Sequence, residues 1–222
     1  MSASIVRQLV LKDLYLSRWI VLLSTAAGLV SLAIAPLSPT GFYVGSVTYI
    51  CVLIVLNIFL VTFGVIQEKK DKVQLFVLSL PISTTQYTVA KATANFTAFF
   101  VPWLFLSIAS LVVIDATGIP NGLMPVTLVL SLFVFCYYCV LLAVGIATEA
   151  AFWIPTVIVI GNVSVNFVIF LAFQLPSIGG NAQGEVAVWG GDAIALMAIE
   201  IGVGIAALAL AFAAQARRRE FI

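Results

Sequence analysis

Few residues of this chain are of a type that does chemistry, and most of those stand alone in apolar surroundings. Glu200 sits in the run ALMAIEIGVGIAAL with no second carboxylate, lysine or arginine beside it. Asn57 lies in a comparable run, while Asn162 and Asn166, four residues apart, share one face of a helix. Cys136 and Cys139 form a C-x-x-C inside FVFCYYCVLL, with no second pair and no histidine anywhere in the chain. A metal site needs more ligands than that, and a catalytic centre needs a nucleophile beside a base or paired carboxylates. Packing therefore explains the two cysteines better than redox or metal chemistry, and an intramembrane enzyme is disfavoured. No lysine follows a glycine, so the phosphate-cradling G-x-x-x-x-G-K-[ST] loop is missing and no ATPase is expected in this chain. One stretch differs from all of this. Residues 67–91, QEKKDKVQLFVLSLPISTTQYTVAK, place Glu68, Lys69, Lys70, Asp71 and Lys72 in consecutive positions.

The elements that must position these residues are membrane spans. Of the 222 residues, 63% are hydrophobic and 9% charged, and mean hydropathy is +1.22; a soluble domain carries about 25% charged residues. Six apolar runs approach or exceed the roughly 20 residues with which a helix crosses the hydrocarbon core. They cover about 19–35, 44–66, 92–114, 123–147, 152–175 and 193–214. None alternates apolar and polar residues as a barrel strand does, so the expected fold is an all-α membrane protein of six transmembrane helices in one domain, 1–222. Pro102 and Pro155 fall inside or near the start of spans, where a helix bends without ending. The first residues, MSASIVRQLVLKD, lack the pattern of a cleavable signal. Arg7 and Arg18 oppose Ile5, Leu9 and Leu16 around a helical wheel, which predicts an interfacial helix ahead of the first span with Trp19 at headgroup level.

Orientation follows from the basic residues. With six spans all ten fall on one side: Arg7, Lys12, Arg18, Lys69, Lys70, Lys72, Lys91, Arg217, Arg218 and Arg219. The three loops on the other side hold no lysine or arginine, so both termini are expected in the cytoplasm. No block is basic enough to point to nucleic acid; the net charge is +1.

Within 68–80 the charged turn leads into Val73, Phe76, Val77 and Leu80 at i, i+3, i+4 and i+7, an apolar stripe on a short helix. Pro81 stops it, and Ser83 with Gln86 offers a capping box for a second helix running through Lys91 into the third span. The pattern alone fits a solvated charged loop as well as a helix lying across the membrane face.

The order of KDLYLSRW entering the first span, QEKKDK after the second and LSLPISTTQYTVAK before the third resembles the permease subunits of ABC-2-type transporters. The resemblance implies that 68–80 is a coupling helix docking on a separate ATP-binding subunit, between spans two and three. Glu68, Lys69, Lys70, Asp71, Lys72, Val73, Phe76 and Val77 would form that contact, and Glu149 in the loop after span four a second one. It also implies two ATP-binding subunits carrying ATP and magnesium, a second permease copy or sister permease, and the plasma membrane of a bacterial-type cell. No cofactor is expected in this chain itself. The basic residues of the loop would meet either the ATPase or anionic lipid headgroups.

By the same resemblance spans two and five line a path at the subunit interface, which makes Asn57, Asn162 and Asn166 candidates for a polar lining. Glu200 is a further candidate, with a partner hydrogen bond as its plainer explanation. Hydrogen bonds between helices account for the asparagines almost as well, and the row Ala198, Gly202, Ala206 argues close helix packing. The contrasting readings are a membrane scaffold or sensor subunit that moves nothing and, less favoured, the intramembrane enzyme.

Overall fold

The computed structural model describes residues 2–67, 84–148 and 153–217. Among them all regular structure is helical, and six helices are long and apolar enough to cross a membrane. These are α1 (Ser2–Ile34), α2 (Pro39–Val61), α3 (Thr84–Ala116), α4 (Met124–Ala147), α5 (Trp153–Gln174) and α6 (Gly191–Arg217).

The helix ends have local causes. Pro36 lies in a short 3-10 turn, Ala35–Leu37, that closes α1. Ser38 then caps α2, its hydroxyl accepting from the Gly41 N–H at 2.9 Å with proline at the first helical position. Proline also opens α4. Pro155 is the third residue of α5, where its missing N–H breaks no ladder bond. Pro102 sits inside α3, which runs on through it.

One expectation is corrected. No separate interfacial helix precedes the first span, because α1 is one helix of 33 residues. Nothing between Ser2 and Ala27 is glycine or proline, so the chain has no place to turn into the membrane plane. At 1.5 Å per residue such a helix is about 50 Å long, well beyond a hydrocarbon core of about 30 Å, and its basic first turns must project past it.

The central element is α4, which touches α2, α3, α5 and α6. Its apolar window is 72% buried, against 17% in both α5 and α6. On one side α1, α2 and α3 pack together; on the other α5 and α6 lean chiefly on α4. At the α3–α4 seam Phe99 and Tyr138 stack 4.1 Å apart, and the Trp103 indole donates to the Ser131 carbonyl at 2.8 Å. The Ser107 and Ser131 hydroxyls bond to each other beneath the Tyr49 hydroxyl of α2.

A second correction concerns α6. Ala198, Gly202 and Ala206 are all exposed, and a Cβ on Gly202 would meet nothing within 4 Å. The face that packs is Ala193, Glu200, Gly204 and Ala211, with Gly204 against Cys136 and Cys139 of α4. Both cysteines are buried and reduced, as packing residues are.

The segment between α5 and α6 folds back onto the bundle. Its helical turn Pro176–Gly179 drives Ile178 into a wholly buried position among Val126, Val129, Val168, Ala172 and Ala193. The Gly122 N–H donates to the Gly184 carbonyl at 2.9 Å, tying this segment to the turn before α4. A side chain on Gly122 would place its Cβ 1.8 Å from the Asn181 carbonyl oxygen, so only glycine permits the contact. Replacing Gly122 with valine should therefore expel the segment and cost roughly 1–3 kcal/mol. Thermal unfolding in detergent, with proteolysis across 180–190, reads both effects; an unchanged melting point and cleavage rate would refute the docking.

Candidate functional site

The residues singled out in the sequence fall into three places. Glu68, Lys69, Lys70, Asp71, Lys72, Val73, Phe76 and Val77, and also Glu149, lie outside the described residues. Asn57 of α2 is fully enclosed, and neither of its amide atoms has a hydrogen-bond partner among the described residues. Asn162 of α5 is half-buried and donates to the Ile158 carbonyl of its own helix at 2.9 Å, while Asn166 is exposed. Glu200 of α6 is 6% exposed, close enough to the Cys136 thiol to interact with it, and both its carboxyl oxygens lack a hydrogen-bond partner among the described residues. Among the described residues no group supplies the partner hydrogen bond expected for it. Asn57 and Glu200 are buried on different helices, while Asn162 is half-buried and Asn166 exposed on a third, and no hydrogen bond among the described residues joins the four.

What the structure does bring together is a group at the basic end of α1, α2 and α3. The Lys91 ammonium sits 2.8 Å from the Asp13 carboxylate, and the two side chains are only 10% and 11% exposed. Lys12, half exposed, approaches the same carboxylate at 3.8 Å, a contact too loose and too wet to add much. One turn beyond Lys91, Asn95 is buried with its Oδ1 unpartnered.

Facing Asn95, α2 widens into a π-helical turn, Thr62–Gln67. Such turns insert an extra residue into the helical ladder and recur at functional sites. Here Gly64 makes the turn fit: a Cβ at that position would lie 2.6 Å from the Asn95 amide nitrogen. The π turn leads directly into 68–83, and α3 emerges from it at Thr84. The group thus stands where the charged stretch joins the membrane domain.

Around these polar groups lies a cleft of about 290 Å³. Asp13, Ser17, Lys91 and Asn95 supply its polar part. Trp19 of α1 and the stacked rings of Phe59 and Phe63, 4.2 Å apart, supply apolar walls. A second cleft of about 310 Å³ at the opposite end is almost wholly apolar and is lined by all of the first five helices.

Compared with protein-family models, curated proteins and solved structures, the chain matches none.

Lys91 sits in a stretch whose other charges read as a topology signal, so the sequence marks it only as one more cation. Its pairing with Asp13 joins residues far apart in the chain; the available clue was a lone carboxylate and a lone lysine placed just outside two successive odd-numbered spans.

Two outcomes follow. Breaking a buried ion pair leaves an uncompensated charge, so Asp13→Leu or Lys91→Met alone should cost about 3–5 kcal/mol, whereas the double substitution recovers most of it. Thermal unfolding of the four proteins closes that cycle, and additive losses would contradict a coupled pair. Glu200→Leu removes an unpartnered buried carboxyl and should leave the melting point unchanged or raise it; a large drop would mean that the carboxyl is bonded.

Proposed function

We propose that this chain is the membrane-spanning subunit of an ATP-driven transporter of the ABC-2 type, acting as an exporter with a separate ATP-binding subunit. The observation that carries the reading is the ordered set KDLYLSRW, QEKKDK and LSLPISTTQYTVAK, distributed around the first three of six spans. Six apolar helices and a basic end that gathers Arg7, Lys12, Arg18 and Lys91 agree with it.

In this reading both termini lie in the cytoplasm and the protein resides in the plasma membrane. Residues 68–80 form the coupling helix, its stripe Val73, Phe76, Val77 seated on the ATPase and Glu68 or Asp71 pairing with a basic residue there. ATP and magnesium are bound and turned over by the partner, and this chain contributes no catalytic residue. Two copies, or one copy with a sister permease, complete the membrane part. ATP-driven closure of the two ATPases moves 68–80, and the spans shift between access states. Asn162 and Asn166, on the outer flank of α5, are the lining residues best placed to face a second permease.

The test is biochemical. An ATP-binding cassette subunit should co-purify with the chain in mild detergent. Glu68→Lys with Asp71→Lys should lower ATP-driven transport at least tenfold while the protein still reaches the membrane. If no such subunit follows the chain and transport is indifferent to the charge reversal, the coupling assignment is wrong.

A further inference from the structure

The cleft between α1, α2 and α3 has the composition of a lipid headgroup site, and we infer that it holds a phospholipid bearing a primary ammonium, of the phosphatidylethanolamine class. The inference does not depend on the transport reading. It rests on depth, charge pattern and an unsatisfied acceptor.

Depth comes first. A hydrocarbon core takes about 20 residues of helix. Counted back from the end of α1 at Ile34, its boundary falls near Tyr15. Arg18 marks the same level, its guanidinium 3.7 Å above the Tyr15 ring and 5.3 Å from Trp19, the aromatic and basic pairing typical of a membrane–water interface. Asp13 and Lys91 therefore sit at headgroup level, while Trp19, Ile20 and Phe63 begin the acyl region. Leu16, Trp19 and Phe63 are each more than half exposed, so the cleft opens sideways to lipid.

The charge pattern is complementary to a zwitterion. Of the residues that line the cleft, Asp13 and Lys91 carry the charges and cancel, while Lys12 and Arg18 at its rim add positive field, so a phosphate is attracted and the Asp13 carboxylate offers a place for a cation beside it. A phosphate set against the Lys91 ammonium and an ammonium set against the Asp13 carboxylate complete a ring of four alternating charges. At about 290 Å³ the space is at the lower bound of the ~300–1,000 Å³ of small-molecule sites, which suits a headgroup and the start of a chain.

Asn95 then decides which zwitterion. Its Oδ1 is enclosed and has no donor among the described residues, and its side chain borders the cleft, so a turn of the amide about its own torsions presents the oxygen to a bound headgroup. A buried acceptor without a donor is costly. A primary ammonium carries three N–H donors and satisfies Asp13 and Asn95 together, whereas a trimethylammonium carries none and a glycerol headgroup brings no cation.

The experiment uses the full chain, purified in mild detergent and titrated with phosphatidylethanolamine, phosphatidylcholine and phosphatidylglycerol of identical acyl chains. Native mass spectrometry reads the lipid retained. Wild type should hold phosphatidylethanolamine about tenfold more tightly than either competitor, matching one lost charge-assisted hydrogen bond. Soluble glycerophosphoethanolamine should not compete, because it lacks the chains that lie along Trp19 and Phe63. Asn95→Leu should abolish the preference for phosphatidylethanolamine over phosphatidylcholine. Asn95→Asp, isosteric and still an acceptor, should keep it and weaken phosphatidylglycerol further, so the inference stays testable even if the leucine variant does not fold. Equal retention of the three lipids by wild type overturns it, as does competition by the soluble headgroup, a preference unmoved in Asn95→Leu, or a preference over phosphatidylcholine lost in Asn95→Asp.

Discussion

Lipid tails are as apolar as leucine, so burying one hydrophobic helix against another in a membrane gains no hydrophobic free energy. The bundle depends instead on how closely its helices approach α4. Gly204 brings α6 onto Cys136 and Cys139, and Gly161 lets α5 lie on the Tyr137 ring, where a Cβ would come within 2.2 Å. The Trp103 to Ser131 hydrogen bond and the Phe99–Tyr138 stack do the same for α3. Each of these contacts has α4 as one partner. The helix itself is apolar on nearly every side, so helix neighbours and lipid can cover it equally well.

Polar groups inside this bundle are distributed by cost. Where two charges lie at the edge of the membrane they meet as a pair, Asp13 with Lys91, at hydrogen-bonding distance. Deeper in, the serine hydroxyls bond their own backbone or one another, as Ser31 does with the Gly28 carbonyl and Ser110 with that of Ser107. Asn57 and Glu200 break this rule, both buried and both without hydrogen-bond partners among the described residues. An unbonded carboxyl beside small residues on a lightly buried helix is a poor structural device. It is held nonetheless on the face by which α6 leans on α4.

The spans were legible because about twenty apolar residues leave the backbone no option but a helix. Their ends were nearly as legible where Pro36, Ser38 and Pro155 sit. The N-terminal helix was misread for a physical reason: opposed arginines and leucines describe a wheel equally well whether the helix lies on the membrane or projects from it. The absence of glycine and proline before residue 28 was the better signal. On α6 the rows Ala198, Gly202, Ala206 and Ala193, Gly204, Ala211 are both built of small residues, so spacing could not say which one packs. The site was the least legible part. Asp13, Gly64, Lys91 and Asn95 come from three helices, and only the fold puts the π turn of α2 against Asn95.

That juxtaposition bears on how force would pass through the protein if 68–80 is a coupling helix. The stretch 68–83 is flanked by the π turn of α2 and by the start of α3, and α3 is tied at Lys91 to α1. The three helices are thus cross-linked at the end where a partner would push, and a load on the loop reaches them as one body. The ladder of α2 is already widened at Thr62–Gln67, which makes this turn the place where α2 yields first. Beyond it α4 is the principal joint to α5 and α6. Motion of α1, α2 and α3 against α5 and α6 must then run along the α4 seams, with Glu200 buried on the α6 side. A carboxyl without a partner among the described residues thus lies on a surface that such a shift would open, where it could gain the partner it lacks.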